Sequence, residues 1–402
     1  MTTPGLPRPE ARIRIGLTLF FGLAACHAWA VKARGGRDLG VLLEAGARAL
    51  RGEPLYRLSS DIWCFKYSPP VALLVAPVSL LPADVASLAL ALGSALALVG
   101  VFLFASRRTG AQGRPASQIL VLALSAPYTL HLLALGQNDG LLVGLAVASE
   151  SIALLHPGLS GVLLALACIV KPPYLLLAVL ALALGERRRL VGLATGLALT
   201  FGATSLRYGF AGLASEMQGW RSLLATTTRP LLCDEQNQSF WAVACTYLAR
   251  PEDGARYPIV VALASAALVA ATAGLVFRAP LREDRRRFLL FSACLYLTAP
   301  LSPLGWRTNL LAAVPALFVL VENARDASSA RVRRLSWGVI AFALAVQLST
   351  YDLVGRRAFF YLLQHRHYAL ASAIAVVAAF LGAAMEARRS APALTAAGSR
   401  RE

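Results

Sequence analysis

Charge is scarce in this chain: Asp, Glu, Lys and Arg make up 15% of its 402 residues, against ~25% in a soluble domain. No polar stretch between apolar runs is long enough to fold a cytosolic nucleotide-consuming domain. There is no Gly-rich phosphate loop, zinc-ligand pair or serine nucleophile elbow. The six cysteines show no metal spacing. What remains is apolar, with 57% hydrophobic residues and a mean hydropathy of +0.61. Runs long enough to cross ~30 Å of hydrocarbon recur from end to end. These features predict an all-α polytopic membrane protein with roughly 10–12 transmembrane helices, some short or broken.

The charge that is present is mostly positive, giving a net +18. Nucleic acid is not the implied partner, because many arginines sit in short loops between apolar runs, where basic residues set topology. Ile15 to Val31 reads as a first span rather than a cleaved signal, being too long for an h-region and lacking a clean cleavage site. The expected organisation is a cytoplasmic tail (1–14), one transmembrane domain (15–386) and a cytoplasmic tail (387–402). Two long extracytoplasmic loops interrupt the domain, at 32–70 and 207–256.

Breaks in the apolar runs carry the topology. Val71 to Leu81 stops at Pro82, too short to span, and leads into a full span from Val85 to Ala105. Ile119 to Leu135 and Leu141 to Leu155 hinge at Gly136–Gly140. Leu159 to Leu184 is broken by Lys171-Pro172-Pro173, and two half-length helices turning there return Arg187, Arg188 and Arg189 to the inner side. A span from Leu190 to Leu206 then leads into the second long loop. With further spans at 258–277, 288–299, 310–321, 337–348 and 368–384, both termini fall inside and the polar hinges share the outer face.

Chemistry-bearing residues collect at those hinges. Asp38 opens an amphipathic stretch ending before Gly52, so it reads either as a helix N-cap or as a general base beside the membrane. Asp61 lies in a polar turn, and Asp139 at a helix start, where capping explains it. Lys171 interrupts an apolar run, which marks it as a functional cation or a snorkelling side chain. A phosphate is the anion it suits, with Arg307 and Lys66 as further cations. His27 and His131 read as core residues, His156 as a turn residue, and His365 and His367 as lying beside Arg366 at a helix start. Asn237-Gln238-Ser239 matches a glycosylation acceptor. Cys26, Cys168 and Cys294 lie in apolar runs, while the loops leave open a disulfide from Cys64 to Cys233 or Cys245.

Taken in order, these pieces resemble glycosyltransferase family 87. The resemblance rests on Asp38-x5-Glu44-Ala45, Gly52-x3-Tyr56, Phe65-Lys66-Tyr67-Ser68-Pro69-Pro70, Ala76-Pro77 and Leu80-Leu81-Pro82. It continues through Gly136-Gln137-Asn138, Lys171-Pro172, Asn237-Gln238-Ser239 and Ser302-Pro303-x2-Trp306. It implies a GT-C fold and transfer of a hexosyl group, mannosyl above all, from a polyprenyl-phosphate sugar to a hydroxyl of a lipid or glycan acceptor. Asp38 would be the base of an inverting displacement. Lys66, Tyr67, Gln137, Asn138, Lys171, Asn237, Gln238, Trp306 and Arg307 would bind substrate. No metal or other cofactor is implied, since side chains supply the cations. Where family members often carry histidines after the tryptophan, this chain has Arg307, Thr308 and Asn309. Competing readings are a transporter or flippase of an anionic lipid-linked substrate, or an inactive relative. Composition points to a bacterial plasma membrane with the active face outward.

Overall fold

A backbone in hydrocarbon must satisfy its polar groups within each segment, and helices do so. The computed structural model describes residues 9–33, 37–56 and 64–390, and they form helices with no strand among them. Arg57, Asp61 and the tails before residue 9 and after residue 390 lie outside the described residues. Among the described residues, six helices are long and apolar enough to cross a membrane, at 10–31, 83–109, 115–135, 187–231, 256–278 and 367–389. Shorter apolar helices occupy 157–170 and 172–183.

The chain forms two compact units, Met1–Val101 with Tyr128–Leu231 and Phe102–Pro127 with Leu232–Glu402. The first holds α1 (Pro9–Ala28), α2 (Arg37–Arg51), α3 (Pro69–Val75), most of α4 (Ala83–Thr109) and the end of α5 (Pro115–Leu135). It continues with α6 (Asp139–Ile152), α7 (Pro157–Val170), α8 (Leu175–Ala183) and α9 (Arg187–Thr228). The second holds α10 (Phe240–Tyr247), α11 (Arg256–Arg278), α12 (Glu283–Leu297) and α13 (Val314–Asp326). It ends with α14 (Ala330–Leu348), α15 (Tyr351–Val354), α16 (Arg356–Gln364) and α17 (His367–Ser390).

Several sequence expectations are realised locally. The α5–α6 hinge opens at Gly136, whose φ of 64° lies in the left-handed region. Lys171 breaks the next apolar run into α7 and α8. Gly52, at φ 72°, closes α2 while Glu53 N–H bonds the Arg48 carbonyl at 3.0 Å, a Schellman-type ending. Arg207 reinforces it, donating from Nε to Ala49 O at 2.7 Å and from Nη2 to Leu50 O at 2.5 Å, where a cation also suits the helix dipole.

Other expectations are corrected. The span expected to end at Leu206 belongs to α9, 42 residues long and kinked at Gly209 (φ 74°, ψ 164°), a conformation essentially restricted to glycine. No proline follows until Pro230, so the chain resumes helix beyond the kink and much of the supposed 207–256 loop is helical. Arg189 is not a solvated loop residue. It is 1% exposed and donates to Glu150 Oε2 at 2.8 Å, Glu186 Oε2 at 3.0 Å and Ser149 Oγ at 3.0 Å. The disulfide joins Cys233 to Cys245, with Cα atoms 5.5 Å apart, and Cys64 takes no part in it. Nearness in sequence and the turn into α10 bring those two thiols together.

Close approach explains the glycines where α7 crosses α9. A Cβ at Gly161 would fall on the Arg189 carbonyl oxygen, and one at Gly192 on that of Gly158. Backbone cannot yield as a side-chain tip would. Gly161→Ala or Gly192→Ala is therefore expected to cost about 1–3 kcal/mol of stability. Gly202→Ala, which meets open space on α9, should be neutral or stabilise by up to ~1 kcal/mol. Thermal melts of the three variants in detergent check this; equal midpoints would show that α7 and α9 are not held this tightly.

Candidate functional site

In the first unit, α2 presents an amphipathic face to a small apolar cluster. Leu42, Ala45, Ala49, Leu55, Phe65, Val71, Ala72 and Ile169 form it, edged by Tyr56 and Tyr67. Packing there fixes α2, the Phe65–Pro70 segment and the end of α7 against one another. Hydrogen bonds refine the fit: Ser68 Oγ donates to Ile169 O at 2.7 Å, Tyr56 Oη to Tyr67 O at 2.6 Å, and Trp220 Nε1 to Lys66 O at 2.9 Å. Glu216 accepts from Leu55 N–H at 3.1 Å. Glu216 and Trp220 escaped the sequence reading because they sit on the arm of α9 that was taken for loop.

On this platform Asp38 lies in the first turn of α2, half-buried. One hydrogen bond reaches its carboxylate among the described residues, from Gln137 Nε2 to Oδ2 at 2.9 Å. No backbone N–H bonds the side chain there, so the capping role is not realised, and Oδ1 has no hydrogen-bond partner among the described residues. Gln137, expected to bind substrate, instead holds Asp38. Tyr67 hydrogen-bonds with Asn138, and burial, followed by the Asp139 and Asp38 charges, pushes its phenol well above the ordinary tyrosine value. It stays neutral.

Two lysines approach this cluster in different states. Lys171 is ion-paired to Asp139, with side-chain exposures of 22% and 4%. The expected free cation at the helix break is thus neutralised, and Asp139 is its counter-ion rather than a helix cap. Lys66 has no carboxylate within ion-pair distance among the described residues. Burial lowers its ammonium below the ordinary lysine value, opposed by Cys64 and Asp38. It is a half-buried cation with no ion pair among the described residues.

The second unit gathers the remaining predicted residues. Asn237 is fully buried, and its amide is engaged by backbone on every side. Nδ2 donates to Leu232 O at 3.1 Å and Pro303 O at 2.9 Å, while Oδ1 accepts from Ser239 N–H at 3.1 Å and Gly305 N–H at 2.9 Å. Those four bonds exhaust an amide side chain. Asn237 therefore holds the Ser302–Trp306 turn and is neither a glycan acceptor in the folded protein nor an open substrate ligand. Gln238 is 1% exposed and accepts from Ala369 N–H at 3.2 Å, fastening the first turn of α17. Trp306 and Arg307 follow, half-buried at the start of a 3-10 segment, Arg307–Ala313.

Arg366 clamps this region and was not singled out by sequence. At φ 55° it takes a left-handed turn before α17 and aims its guanidinium inward. It donates to Asp234 O at 2.5 Å, Cys233 O at 2.8 Å, Asn237 O at 3.0 Å and Thr246 Oγ1 at 3.0 Å. One side chain thus binds the disulfide loop, the Asn-Gln-Ser segment and α10. A non-Gly residue at positive φ has no reliable single-sequence signal.

Comparison with known proteins gives one family and a distant fold likeness. The sequence profile described as Glycosyltransferase family 87 matches residues 65–304, more than half of the chain. No curated protein matches significantly. Among solved structures, a crystal structure of ArnT from Cupriavidus metallidurans bound to undecaprenyl phosphate matches at 15% identity and a TM-score of 0.43. Its apo state matches at 16% identity and a TM-score of 0.39. Each match covers 93% of this chain and 78% of the other.

The Asp139–Lys171 pair is open to a mutant cycle. Lys171→Met strands a carboxylate that is almost wholly buried and should destabilise by about 3–5 kcal/mol. Asp139→Asn strands an ammonium that retains some exposure and should cost less, about 1–3 kcal/mol. The double variant should recover much of either loss. Strictly additive melting shifts would mean that the two charges do not interact.

Proposed function

Because the chain belongs to glycosyltransferase family 87, we propose that Asp38 is the base of an inverting transfer from a polyprenyl-phosphate sugar to a hydroxyl of a lipid or glycan acceptor. The observation that carries this is the carboxylate held through one oxygen. Gln137 fixes Oδ2 and orients the group, while Oδ1 is left to take a proton. In the reaction the acceptor oxygen bonds to the anomeric carbon as the bond from that carbon to the phosphate oxygen breaks. The electron pair leaves with the phosphate, and the acceptor proton passes to Asp38. Attack opposite the departing group inverts the centre, so a β-mannosyl phosphate gives an α-mannoside.

Lys66 is the residue we assign to the phosphate. An ammonium in a dry setting with no carboxylate of its own gains most from a new anion. The ion pair on Lys171 leaves it a positioning part, holding the helix break and Asn138 next to Tyr67. Tyr67 and Asn138 are assigned to the sugar, where neutral donors and acceptors suit hydroxyls. A mannosyl donor follows from the family resemblance and the GT-C architecture from the same source.

Orientation has its own support. In the second unit α13 runs from the Trp306–Asn309 turn to Glu322 and Asp326, where Arg114, Ser117 and Arg325 gather. The disulfide lies at the former end, beside Arg366. Disulfides persist on the oxidising side of a membrane and arginine-rich loops on the cytoplasmic side. Both considerations support an extracytoplasmic face for the disulfide end and a cytoplasmic C-terminus at the far end of α17.

Transfer of labelled sugar from a polyprenyl-phosphate donor in membranes tests the chemistry. Asp38→Asn should lower the rate by about 10²–10⁴-fold at equal expression; unchanged transfer would remove Asp38 as base. Lys66→Met should raise the donor KM, and Gln137→Ala should lower kcat with a smaller effect on that KM. For orientation, a membrane-impermeant thiol reagent should label Cys233 and Cys245 in intact cells only after reduction. Labelling confined to opened vesicles would reverse the assignment.

A further inference from the structure

The first turn of α17 carries a buried imidazole, His367. His367 is 8% exposed, and neither ring nitrogen has a hydrogen-bond partner among the described residues. The Leu362 carbonyl stands beside the ring but outside hydrogen-bond geometry. Leaving a buried polar side chain unpaired costs about 1–3 kcal/mol, and a phenylalanine or leucine would fill the space without that cost. The position therefore carries a donor and an acceptor that serve something other than packing.

Its neighbours point to what that is. The His367 ring packs on Tyr368 with centroids 4.0 Å apart, and the Arg307 guanidinium lies 5.8 Å from the Tyr368 ring centre. Arg307 is also within electrostatic range of the imidazole. Gln238 fastens the same helical turn through Ala369, and Arg366 locks the residue before it. The imidazole is thus held on a rigid mount, at a helix N-terminus, next to the Trp306–Arg307 turn. A phosphate would call only on donors. A neutral imidazole offers one donor and one acceptor, which matches a hydroxyl group.

We infer that His367, with Arg307 beside it, forms a carbohydrate-binding subsite in the second unit that takes a ring hydroxyl of a sugar substrate. This rests on the glycosyltransferase reading above. The hydroxyl belongs to the donor sugar or to the acceptor glycan, and the same chemistry serves both. His367 binds and orients; no proton transfer is assigned to it.

Steady-state kinetics of the full-length protein in lipid vesicles, with polyprenyl-phosphate mannose and a short mannoside acceptor, separate the possibilities. His367→Phe should raise the KM of one substrate by about 5–20-fold, the range of a lost neutral hydrogen bond plus a stranded partner, with a smaller change in kcat. His367→Gln, which retains a donor and an acceptor, should restore most of the loss. Which KM moves tells donor from acceptor. Folding is read in parallel from the thermal midpoint and the intact Cys233–Cys245 bond. If folded His367→Phe shows wild-type KM values for both substrates, the residue only fills space and the proposal fails. Should the variants not fold, the ¹⁵N imidazole resonance of His367 in the wild-type protein decides: it should shift on adding methyl mannoside or donor and stay put if the subsite does not exist. A wild-type protein that transfers no sugar overturns the glycosyltransferase chemistry instead, and the resonance still reports whether the subsite binds a mannoside.

Discussion

A lysine at the break of an apolar helix needs a counter-charge, and much of the first unit follows from where that charge comes from. Asp139 supplies it from the first turn of α6, and the pair ties the α5–α6 hinge to the α7–α8 break. Gln137 and Asn138, the residues just before, are thereby set in place, one against Asp38 and the other against Tyr67. At the opposite end of the same helical hairpin a second buried pair, Arg189 with Glu150, does equivalent work beside the glycine crossing of α7 and α9. Charges in this chain are few because each buried one needs such an arrangement. Lys66 departs from that pattern, and its departure is why it, rather than Lys171, is assigned to substrate.

The second unit reaches order by different means. Its disulfide-bearing end depends on buried polar side chains: Asn237, Gln238 and Arg366 meet backbone groups of the turns around them. Irregular backbone near a membrane is tolerated where protein satisfies it, and these three residues, with the disulfide, provide that. The saturation of Asn237 also separates scaffold from site. A side chain with every donor and acceptor engaged has nothing left for a ligand, whereas the buried nitrogens of His367 have no hydrogen-bond partner among the described residues.

Where helices break was legible in sequence, because Gly136, Lys171-Pro172-Pro173 and Gly52 act locally on the backbone. The amphipathic face of α2 and the gathering of Asp38, Tyr67, Gln137 and Lys171 were legible as well, since polar groups in a membrane chain have few places to go. Partnership was not. Nothing local says that Lys171 chooses Asp139, that Gln137 serves Asp38, or that Cys245 pairs with Cys233 rather than Cys64. The first two outcomes depend on side-chain reach between residues far apart in the chain, and the third on a turn into α10 that no local pattern announces. Arg189 was misread because a buried arginine and a topology-setting arginine share the same local pattern. The second arm of α9 was missed because Gly209 resembles a helix end, and its conformation lets the helix turn and resume.

That kink makes α9 a gauge of height. From Arg189, pinned among carboxylates, to Gly209 the helix rises roughly 30 Å at 1.5 Å per residue, the thickness of a bilayer's hydrocarbon layer. Just before the kink, Arg207 grips the last carbonyls of α2, so the platform carrying Asp38 stands at a level set by the length of that arm. A polyprenyl chain presents its phosphate where hydrocarbon gives way to headgroups, at a depth decided by the bilayer. In the transfer proposed above, enzyme and substrate would be measured against the same layer, and the meeting of carboxylate and phosphate would depend on its thickness as much as on any side chain.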